Sequence, residues 1–290
     1  MNLNIIGRRK IWYIVSLIVI IPGIFSLFFQ GLNLGIDFTG GNLMQIKFAQ
    51  DVNSAQVREV FSQHVEQAFS VQETDENNFL VRTVALSEEQ NQQIISGITA
   101  QLGKNEILRN EHVGPVIGKE LALNALYALA IASVLMVIYI TFRFEIKFGI
   151  AAIIALLHDV LLVTGIFSIL QIEVDSAFVA AILTIVGYSI NDTIVIFDRI
   201  RENLRGKKKE DRELLVNRSI METLARSINT VLTTLFPLIA LLLVGGTTIK
   251  VFALALLIGI SSGCYSSIFV ASPLWIDLSN WIAAQKQARA

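Results

Sequence analysis

The sequence is poor in the side chains that build redox and metal sites. It contains one cysteine, Cys264, and three histidines in 290 residues. A single cysteine excludes an intramolecular disulfide framework and a cysteine-rich zinc site. His64, His112 and His158 lie far apart and have no metal-binding spacing. We therefore expect neither a metal ion nor a cofactor.

Charge is also scarce, and neither sign dominates. Asp, Glu, Lys and Arg make up 16% of the residues, whereas a soluble domain has roughly a quarter. The 23 Lys and Arg nearly balance the 24 Asp and Glu, so no global basic surface indicates a nucleic-acid partner. Hydrophobic residues reach 53%, and the mean hydropathy is +0.61. This composition is typical of an integral membrane protein.

Six apolar runs are long enough to cross a membrane. A helix needs about 20 residues to span a hydrocarbon core of ~30 Å. The first run follows three basic residues and lacks a small-residue cleavage site, so we expect a retained anchor rather than a removed signal peptide. The fold class is thus an α-helical integral membrane protein with six transmembrane helices. The predicted spans are residues 11–29, 121–142, 148–170, 176–197, 227–245 and 250–275.

Basic residues indicate which side of the membrane each short connection faces. The positive-inside rule places loops rich in Lys and Arg in the cytoplasm. The N-terminus, the turn after the second span and the connection after the fourth span are basic, whereas residues 171–175 have no basic residue and residues 245–250 have one. Both chain ends are therefore predicted to be cytoplasmic.

This topology leaves one large segment, residues 31–119, on the outer side between the first two spans. Acidic residues outnumber basic ones in it. Its predicted order of elements is βαββαβ, that of a ferredoxin-like α+β domain. The elements are strand 43–48, helix 54–68, strands 69–74 and 79–83, helix 87–102 and strand 105–113.

The remaining boundaries follow from the spans. Residues 1–30 form an N-terminal cytoplasmic segment with the first span. Residues 120–275 form the bundle of spans two to six, with a cytoplasmic loop at 198–226. Residues 276–290 form a cytoplasmic C-terminal tail.

Two carboxylates lie inside the predicted spans. Asp159 follows His158 in the third span, and Asp192 follows Asn191 in the fourth. A charge at the bilayer centre costs at least ~3 kcal/mol on insertion scales, so each carboxylate is a candidate functional residue facing the protein interior. Arg226 opens the fifth span and is the candidate partner of Asp192. Because a nearby arginine favours a charged carboxylate and burial disfavours it, a small change in their separation could load or release a proton.

Tyr188 is a further, weaker candidate for the same proton-coupling role. Thr184, Tyr188 and Asp192 are spaced four residues apart and share one stripe of the predicted fourth helix. These residues alone are equally compatible with a fixed salt bridge between Asp192 and Arg226 that sets helix packing.

For Asp159 a structural role is the stronger interpretation. His158 and Asp159 are expected to form a hydrogen-bonded pair that ties the third span to a neighbour, which makes Asp159 a weaker proton-coupling candidate. Gly259 and Gly263 have the spacing that lets a neighbouring helix approach closely.

Three motifs resemble those of the SecF family of bacterial protein-export membrane proteins, which belongs to the RND-type superfamily. The resemblance covers the whole chain, since the order of motifs, the six spans and the place of the outer domain all agree. The motifs are GIDFTGG at residues 35–41, GPVIG at 114–118 and GYSINDTIVIFDRIREN at 187–203.

This resemblance implies a non-enzymatic subunit of the Sec accessory complex in the bacterial inner membrane, paired with SecD. Members use proton entry to help complete the export of unfolded preproteins through the SecYEG channel, after the SecA motor has started it. In the family, the Asp of the Asn-Asp-Thr motif and an Arg at the start of the fifth span are associated with proton conduction. They correspond to Asp192 and Arg226. The family is also known as a fused SecD-SecF chain, of which only the SecF half is present.

The glycines that flank the outer domain are candidate hinges. Glycine tolerates the backbone changes that a hinge must absorb. Tight turns at the membrane surface are the alternative interpretation. The candidates are Gly35, Gly40, Gly41, Gly114 and Gly118.

Two other functions compete with export. A small-molecule efflux subunit of the same superfamily is the closer rival, although one outer domain of about 90 residues is small for a drug-binding pump. An intramembrane aspartyl protease would use two membrane aspartates that share a proton. Such proteases resemble a Tyr-Asp and Gly-x-Gly-Asp pairing, whereas His158 and Asn191 precede the aspartates here.

Overall fold

The chain forms two compact units. Leu34–Leu126 make one unit, and Met1–Asn33 with Tyr127–Ala290 make the other. A computed structural model describes residues 4–65, 67, 69–75, 77–206 and 211–288. In chain order its elements are a 3-10 turn (Ile6–Arg8), α1 (Arg9–Phe29), β1 (Asn33–Leu34), α2 (Ile36–Thr39), β2 (Gly41–Phe48), α3 (Ser54–Ser62), β3 (Ser70–Asp75), β4 (Asn78–Thr83), α4 (Glu88–Leu102), β5 (Asn105–Val113), α5 (Pro115–Arg143), α6 (Ile146–Leu170), β6 (Glu173–Val174), α7 (Ser176–Arg205), α8 (Arg212–Val244), α9 (Thr247–Ser266), a π-helical turn (Ser267–Ala271) and α10 (Ser272–Ala288).

Six helical stretches of the described chain are long and apolar enough to cross a membrane, which confirms the predicted number. The predicted positions agree in their apolar centres, and the helices extend further at their ends. The stretches are Ile6–Phe29, Val116–Arg143, Ile146–Leu170, Ser176–Arg205, Arg212–Val244 and Ile249–Gln285.

The predicted loop at 198–226 is mostly helical, because α7 continues to Arg205 and α8 begins at Arg212. Polar contacts hold these extensions together. The Arg199 guanidinium contacts Glu222 at 2.6 Å, and the Asn203 amide donates to the Ser219 hydroxyl at 2.9 Å. Ile200 of α7 and Val216 and Ile220 of α8 are buried as well, so apolar packing also supports the extensions. They were not predicted because charged residues interrupt the apolar runs there. Residues 207–210, also part of the predicted loop, lie outside the described residues.

The predicted C-terminal tail is likewise helical through Ala288, as part of α10. The carboxylate of Asp277 on α10 pairs with the Arg9 guanidinium at 2.8 Å and accepts a hydrogen bond from the Tyr13 hydroxyl at 2.9 Å. These bonds attach α10 to α1.

The centre of the helical unit is built from α6, α7 and α9. Helix α7 packs against α6, α8 and α9, and α1 packs against α6. Half of the most apolar stretch of both α6 and α7 is buried, whereas none of that stretch in α5 is. The last span, which contains α9, is buried to a similar share. Polar side chains on the contacting faces of α6, α7 and α9 are therefore shielded from lipid.

The outer unit contains the predicted order of strands and helices. Strands β3, β4, β2 and β5 form an antiparallel sheet in that spatial order. Asn53 and Ser87 each begin a helix with a capping box. The first of these helices, predicted to reach residue 68, ends at Ser62; residues 66 and 68 lie outside the described residues. The buried core includes Met44, Ile46, Val57, Val60, Phe61, Phe79, Val81, Ile94 and Ile98.

The candidate hinge glycines adopt several different conformations. Gly40 and Gly41 have φ of 73° and 129°, and a Cβ at Gly41 would collide with the Thr83 carbonyl oxygen. Helix α5 begins at Pro115, since proline is favoured at the first helical position. Gly118 therefore lies inside α5. A Cβ at Gly118 would lie 2.9 Å from the Gly40 nitrogen.

Helices α1 and α6 cross at a pair of glycines. A Cβ on either Gly23 or Gly165 would lie 2.8 Å from the Cα of the other.

We predict that Gly165→Ala lowers the thermal unfolding midpoint of the purified protein in detergent, because overpacking costs about 1–3 kcal/mol.

Gly187→Ala is the matched control for this crossing. Gly187 is also helical, and no described atom lies within 4 Å of a Cβ built there. Both variants gain the same helix propensity. Equal midpoints for the two variants would contradict a tight crossing of α1 and α6.

Candidate functional site

Asp192 is a buried carboxylate with unused hydrogen-bonding capacity. It lies on α7, is 8% exposed, and its Oδ1 accepts a hydrogen bond from Ser227 Oγ of α8 at 2.6 Å. Its Oδ2 is buried and has no hydrogen-bond partner within the described parts of the chain. Because buried polar atoms are nearly always paired, this oxygen marks Asp192 as a site that could accept a proton or a further donor.

Arg226 lies beside this carboxylate without binding it. Arg226 is exposed and adjoins Ser227 in sequence, and its charge acts on Asp192. Among the hydrogen bonds and ion pairs of the described residues, none joins the two side chains. The direct partner of Asp192 is thus a neutral hydroxyl, and the guanidinium acts from further away.

Tyr188 and Asp192 both contact α8. The Tyr188 hydroxyl donates to the Thr230 carbonyl oxygen at 3.0 Å and is hydrogen-bonded to the Thr234 hydroxyl at 2.9 Å. Thr184, the third residue of the predicted stripe, donates instead to the Ala180 carbonyl oxygen of its own helix. The structure therefore brings Tyr188 and Asp192 to the α7–α8 interface, and leaves Thr184 out of it.

Asp159 is surrounded by hydroxyl donors from two other helices. Its side chain is fully buried. It accepts hydrogen bonds from Ser189 of α7 at 2.6 Å, from Ser262 of α9 at 2.6 Å and from Ser266 of α9 at 2.7 Å. We call these three residues the serine cage. An ionised carboxylate can only accept hydrogen bonds, and this surrounding suits one.

His158 extends the polar contacts from Asp159 to α1. Its Nδ1 lies 3.0 Å from Asp159 Oδ1, and its Nε2 lies 3.1 Å from Ser16 Oγ. Ser16 Oγ donates to the Tyr265 hydroxyl at 3.3 Å, and that hydroxyl donates to the Trp12 carbonyl oxygen at 2.9 Å. The predicted role of the His158–Asp159 pair as a tie between α6 and its neighbours is confirmed.

Close packing of α7 on α9 makes the serine cage possible. A Cβ at Gly263 would lie 3.1 Å from Ser189 Cβ, and one at Gly259 would collide with the Ile185 side chain. The close approach predicted from these two glycines is therefore confirmed. One turn beyond Ser189, the Thr193 hydroxyl is hydrogen-bonded to Ser267 Oγ of the π-helical turn at 2.8 Å.

The serines that bind the two carboxylates were not predicted from the sequence. Ser262 and Ser266 stand four residues apart in an apolar helix, a spacing that could have indicated a polar stripe. No spacing in the sequence singled out Ser227 or Ser189. The carboxylates that they bind lie on other helices, and the sequence does not show which helices meet. Among the described residues, no group of three or more His, Cys, Asp or Glu side chains could hold a metal ion.

Comparison with protein families gives two matches. The family described as Protein export membrane protein SecD/SecF, C-terminal, matches residues 94–281. The SecD/SecF GG motif matches residues 25–52, which include the glycines at 35, 40 and 41.

Relatives of this chain are named as protein translocase subunits. A protein translocase subunit SecF from Sebaldella termitidis is 44% identical over 100% of this chain and 96% of its own length. One from Acidaminococcus fermentans is 45% identical over 94% of this chain and 96% of its own length. A protein translocase subunit SecDF from Bacillus subtilis is 40% identical over 93% of this chain and 37% of its own length.

A solved structure matches the fold of the chain. The crystal structure of SecDF, a translocon-associated membrane protein from Thermus thermophilus, aligns with a TM-score of 0.89 at 38% identity. The alignment covers 97% of this chain and 39% of that SecDF chain. On the two family matches, the SecF relatives and this fold, the chain belongs to the SecD/SecF family of protein export membrane proteins.

Proposed function

We propose that this chain works with SecD in the Sec protein translocase and uses the proton-motive force to assist late export of unfolded preproteins. The observation that carries the proton-coupled part is Asp192, a buried carboxylate with one oxygen free of hydrogen bonds in the described structure. Membership of a family whose relatives are named translocase subunits supports the export part.

The proposed transfer uses Asp192 as the proton carrier. Protonation removes the charge on the buried carboxylate, so the attraction of Arg226 for it is lost. Ser227 and Arg226 are adjacent residues of α8. Protonation of Asp192 therefore acts on α8 through the hydrogen bond from Ser227 and through the charge of Arg226. Tyr188 is a weaker candidate for the same path, because its hydroxyl is already bonded to Thr230 and Thr234.

The membrane potential can supply the required energy. Moving one elementary charge across it is worth about 2.3 kcal/mol per 100 mV. One proton entering through Asp192 could therefore bias a conformational change of a few kcal/mol. We propose that the outer unit, residues 34–126, is the part that changes position.

We propose a periplasmic ferredoxin-like domain for this outer unit. The antiparallel strand order β3-β4-β2-β5, with two helices inserted as βαββαβ, supports this assignment. The distribution of basic residues supports the periplasmic side and cytoplasmic termini. The SecF relatives from bacteria support a bacterial inner membrane.

The partners we propose are SecD, the SecYEG channel and the unfolded preprotein, with SecA acting indirectly and no nucleic acid.

The candidate hinge is the set of glycines that flank the outer unit. Gly40 and Gly41 already serve turns that require positive φ, which also fits the tight-turn interpretation. Gly114 has no described atom within 4 Å of a built Cβ, so its surroundings leave room for a hinge motion. Gly35 and Gly118 are the other two candidates.

The rival functions have less support. In an aspartyl protease, the two aspartates would share a proton. Asp159 and Asp192 instead bind different serines, and no hydrogen bond joins them among the described contacts. An efflux subunit would share the fold of the superfamily, but the relatives are named as protein translocase subunits. We therefore propose a non-enzymatic role.

Asp192→Asn should abolish the proton-dependent stimulation of export while the protein still inserts and pairs with SecD. The amide keeps an oxygen acceptor for Ser227 but cannot take up and release a proton. Export into membrane vesicles, with and without a protonophore, measures the effect. Asp198→Asn is the control on the same helix, because the Asp198 side chain is partly exposed and pairs with Arg143 at 3.2 Å. Unchanged stimulation in Asp192→Asn would remove this residue from the mechanism.

Arg226→Lys should retain more stimulation than Arg226→Ala. The guanidinium makes no direct bond to Asp192 within the described structure, so charge is expected to matter more than the planar geometry of arginine. The same vesicle assay ranks the variants, with Arg212→Ala as an exposed control on α8. Equal losses in the two Arg226 variants would show that geometry is required.

Deleting residues 42–110 should stop export assistance while the six spans still assemble. The helical unit has its own packing around α6, α7 and α9, so we expect it to survive the loss of the outer unit. Co-purification with SecD reports assembly, and the vesicle assay reports function. Normal export by the deletion variant would make the outer unit dispensable.

A further inference from the structure

Three arginines converge on one cavity at the basic end of the helical unit. The cavity has a volume of about 400 Å³ and lies between the ends of α5 and α7. Arg143 is the last residue of α5, and Arg201 and Arg205 lie on the last two turns of α7. The positive-inside rule explains basic residues on one side of a membrane, but it does not require arginines from separate helices to meet. The cavity is lined by Arg143, Asp198, Arg201, Glu202 and Arg205.

The two acidic side chains of this cavity already have arginine partners. Asp198 Oδ1 lies 3.2 Å from Arg143 Nη2. Glu202 Oε2 lies 2.6 Å from Nη1 of Arg199, which is not one of the residues that line the cavity. The acids therefore do not offset the whole positive charge of the cavity.

Two of the three arginines contribute charge that no described carboxylate neutralises. No ion pair among the described residues includes Arg201 or Arg205. In the same part of the chain, the bond that Arg201 makes is a long one of 3.5 Å, to the Arg143 carbonyl oxygen. Arginine presents several N–H donors in a fixed plane, so these two guanidinium groups can bind an anion without breaking an ion pair.

The cavity lies at the level of the lipid headgroups. The predicted apolar spans end at residues 142 and 197, and the residues that line the cavity begin directly after these ends, at 143 and 198. A helix rises 1.5 Å per residue, so Arg201 lies about 6 Å beyond residue 197 along the axis. The headgroup layer on each side of the hydrocarbon core is about 5–7 Å thick. Lipid phosphates are therefore the anions that lie at this depth.

Helix α5 offers apolar surface beside the cavity for the acyl chains of such a lipid. Ile138, Tyr139 and Phe142 lie on the last two turns of α5 and are exposed, Phe142 to 94%. None of the most apolar stretch of α5 is buried within the helical unit. A soluble anion gains nothing from this surface, so a basic cavity next to an apolar helix favours a lipid over a free phosphate.

We propose that this cavity binds the phosphate group of an anionic phospholipid. Arginine binds phosphate through charge-assisted hydrogen bonds that are frequently bidentate. Arg201 and Arg205 supply the charge that binds the phosphate, and Arg143 extends the basic wall of the cavity. A lipid with a cationic headgroup group in addition to its phosphate is disfavoured, because the arginines repel that group. The inference goes beyond the proposed function and does not depend on proton transfer at Asp192.

Lipid binding is tested by native mass spectrometry of the full-length protein in detergent. The protein is titrated with phosphatidylglycerol, which is anionic, and separately with phosphatidylcholine, which is zwitterionic. We expect Arg201→Gln/Arg205→Gln to weaken phosphatidylglycerol binding by about tenfold or more, because each arginine near an anionic lipid surface is worth about a fivefold gain in affinity. Phosphatidylcholine should bind the unchanged protein and this double variant equally.

Arg8→Gln/Arg212→Gln is the charge-matched control. Both arginines are exposed, are predicted to lie on the same side of the membrane and do not line the cavity. The control removes the same two positive charges and should keep the phosphatidylglycerol affinity of the unchanged protein. Equal losses in the two double variants would show a general effect of net charge and would overturn the site.

Thermal unfolding gives a second measurement that is made within each protein. A ligand that binds the folded state raises its unfolding midpoint. Phosphatidylglycerol should therefore raise the midpoint of the unchanged protein and of the control, but not that of Arg201→Gln/Arg205→Gln. Because each protein is compared with itself in the absence of lipid, a variant with a lower starting midpoint remains informative. An equal rise in all three proteins would overturn the site.

Inorganic phosphate distinguishes a lipid from a soluble anion. We expect inorganic phosphate, added at the concentration of the lipid, to leave phosphatidylglycerol bound. Displacement of the lipid would show a site for a free anion and would overturn the lipid assignment. Equal affinities of the unchanged protein for phosphatidylglycerol and phosphatidylcholine would also overturn it, and would leave the arginines as a surface for a protein partner.

Discussion

The helical unit depends on the need to satisfy a carboxylate buried away from water. Asp159 is fully buried, and without partners such a group would oppose folding of the bundle. Its oxygens accept from Ser189, Ser262 and Ser266. Since these donors come from α7 and α9, satisfying one side chain on α6 specifies the mutual positions of three helices. The packing glycines permit that approach.

The two membrane carboxylates differ in how completely they are bonded. Asp159 has a full set of donors, whereas Asp192 has one bond from Ser227 and one oxygen without a partner among the described residues. A fully bonded group stabilises a single arrangement. A carboxylate with few hydrogen bonds loses fewer of them when it takes up a proton. This difference fits the proposal that Asp192 is the residue that exchanges protons, whereas Asp159 fixes helix packing. Ser189, on the same helix as Asp192, donates to Asp159 on α6.

The number of spans and the order of elements in the outer unit could be predicted, because both follow from short-range patterns. A run of about 20 apolar residues crosses a bilayer wherever it occurs, and capping residues such as Asn53 and Ser87 mark helix starts locally. The helical extensions through 198–226 were not predicted, because charged residues interrupt the apolar runs there. Buried apolar residues such as Ile200 and Val216, and ion pairs such as Arg199 with Glu222, lie on separate helices that meet only in the folded bundle.

The sequence by itself determined that Asp159, Asp192 and Arg226 are exceptional, since ionisable residues in apolar spans are rare and costly. Only the tertiary structure decided what each one contacts. It placed Ser227, rather than Arg226, on Asp192, and it gathered the serine cage around Asp159. Serines are common and weakly polar, so their spacing along the chain does not show which of them meet. The rotation and approach of packed helices determine that, and these are properties of the whole bundle.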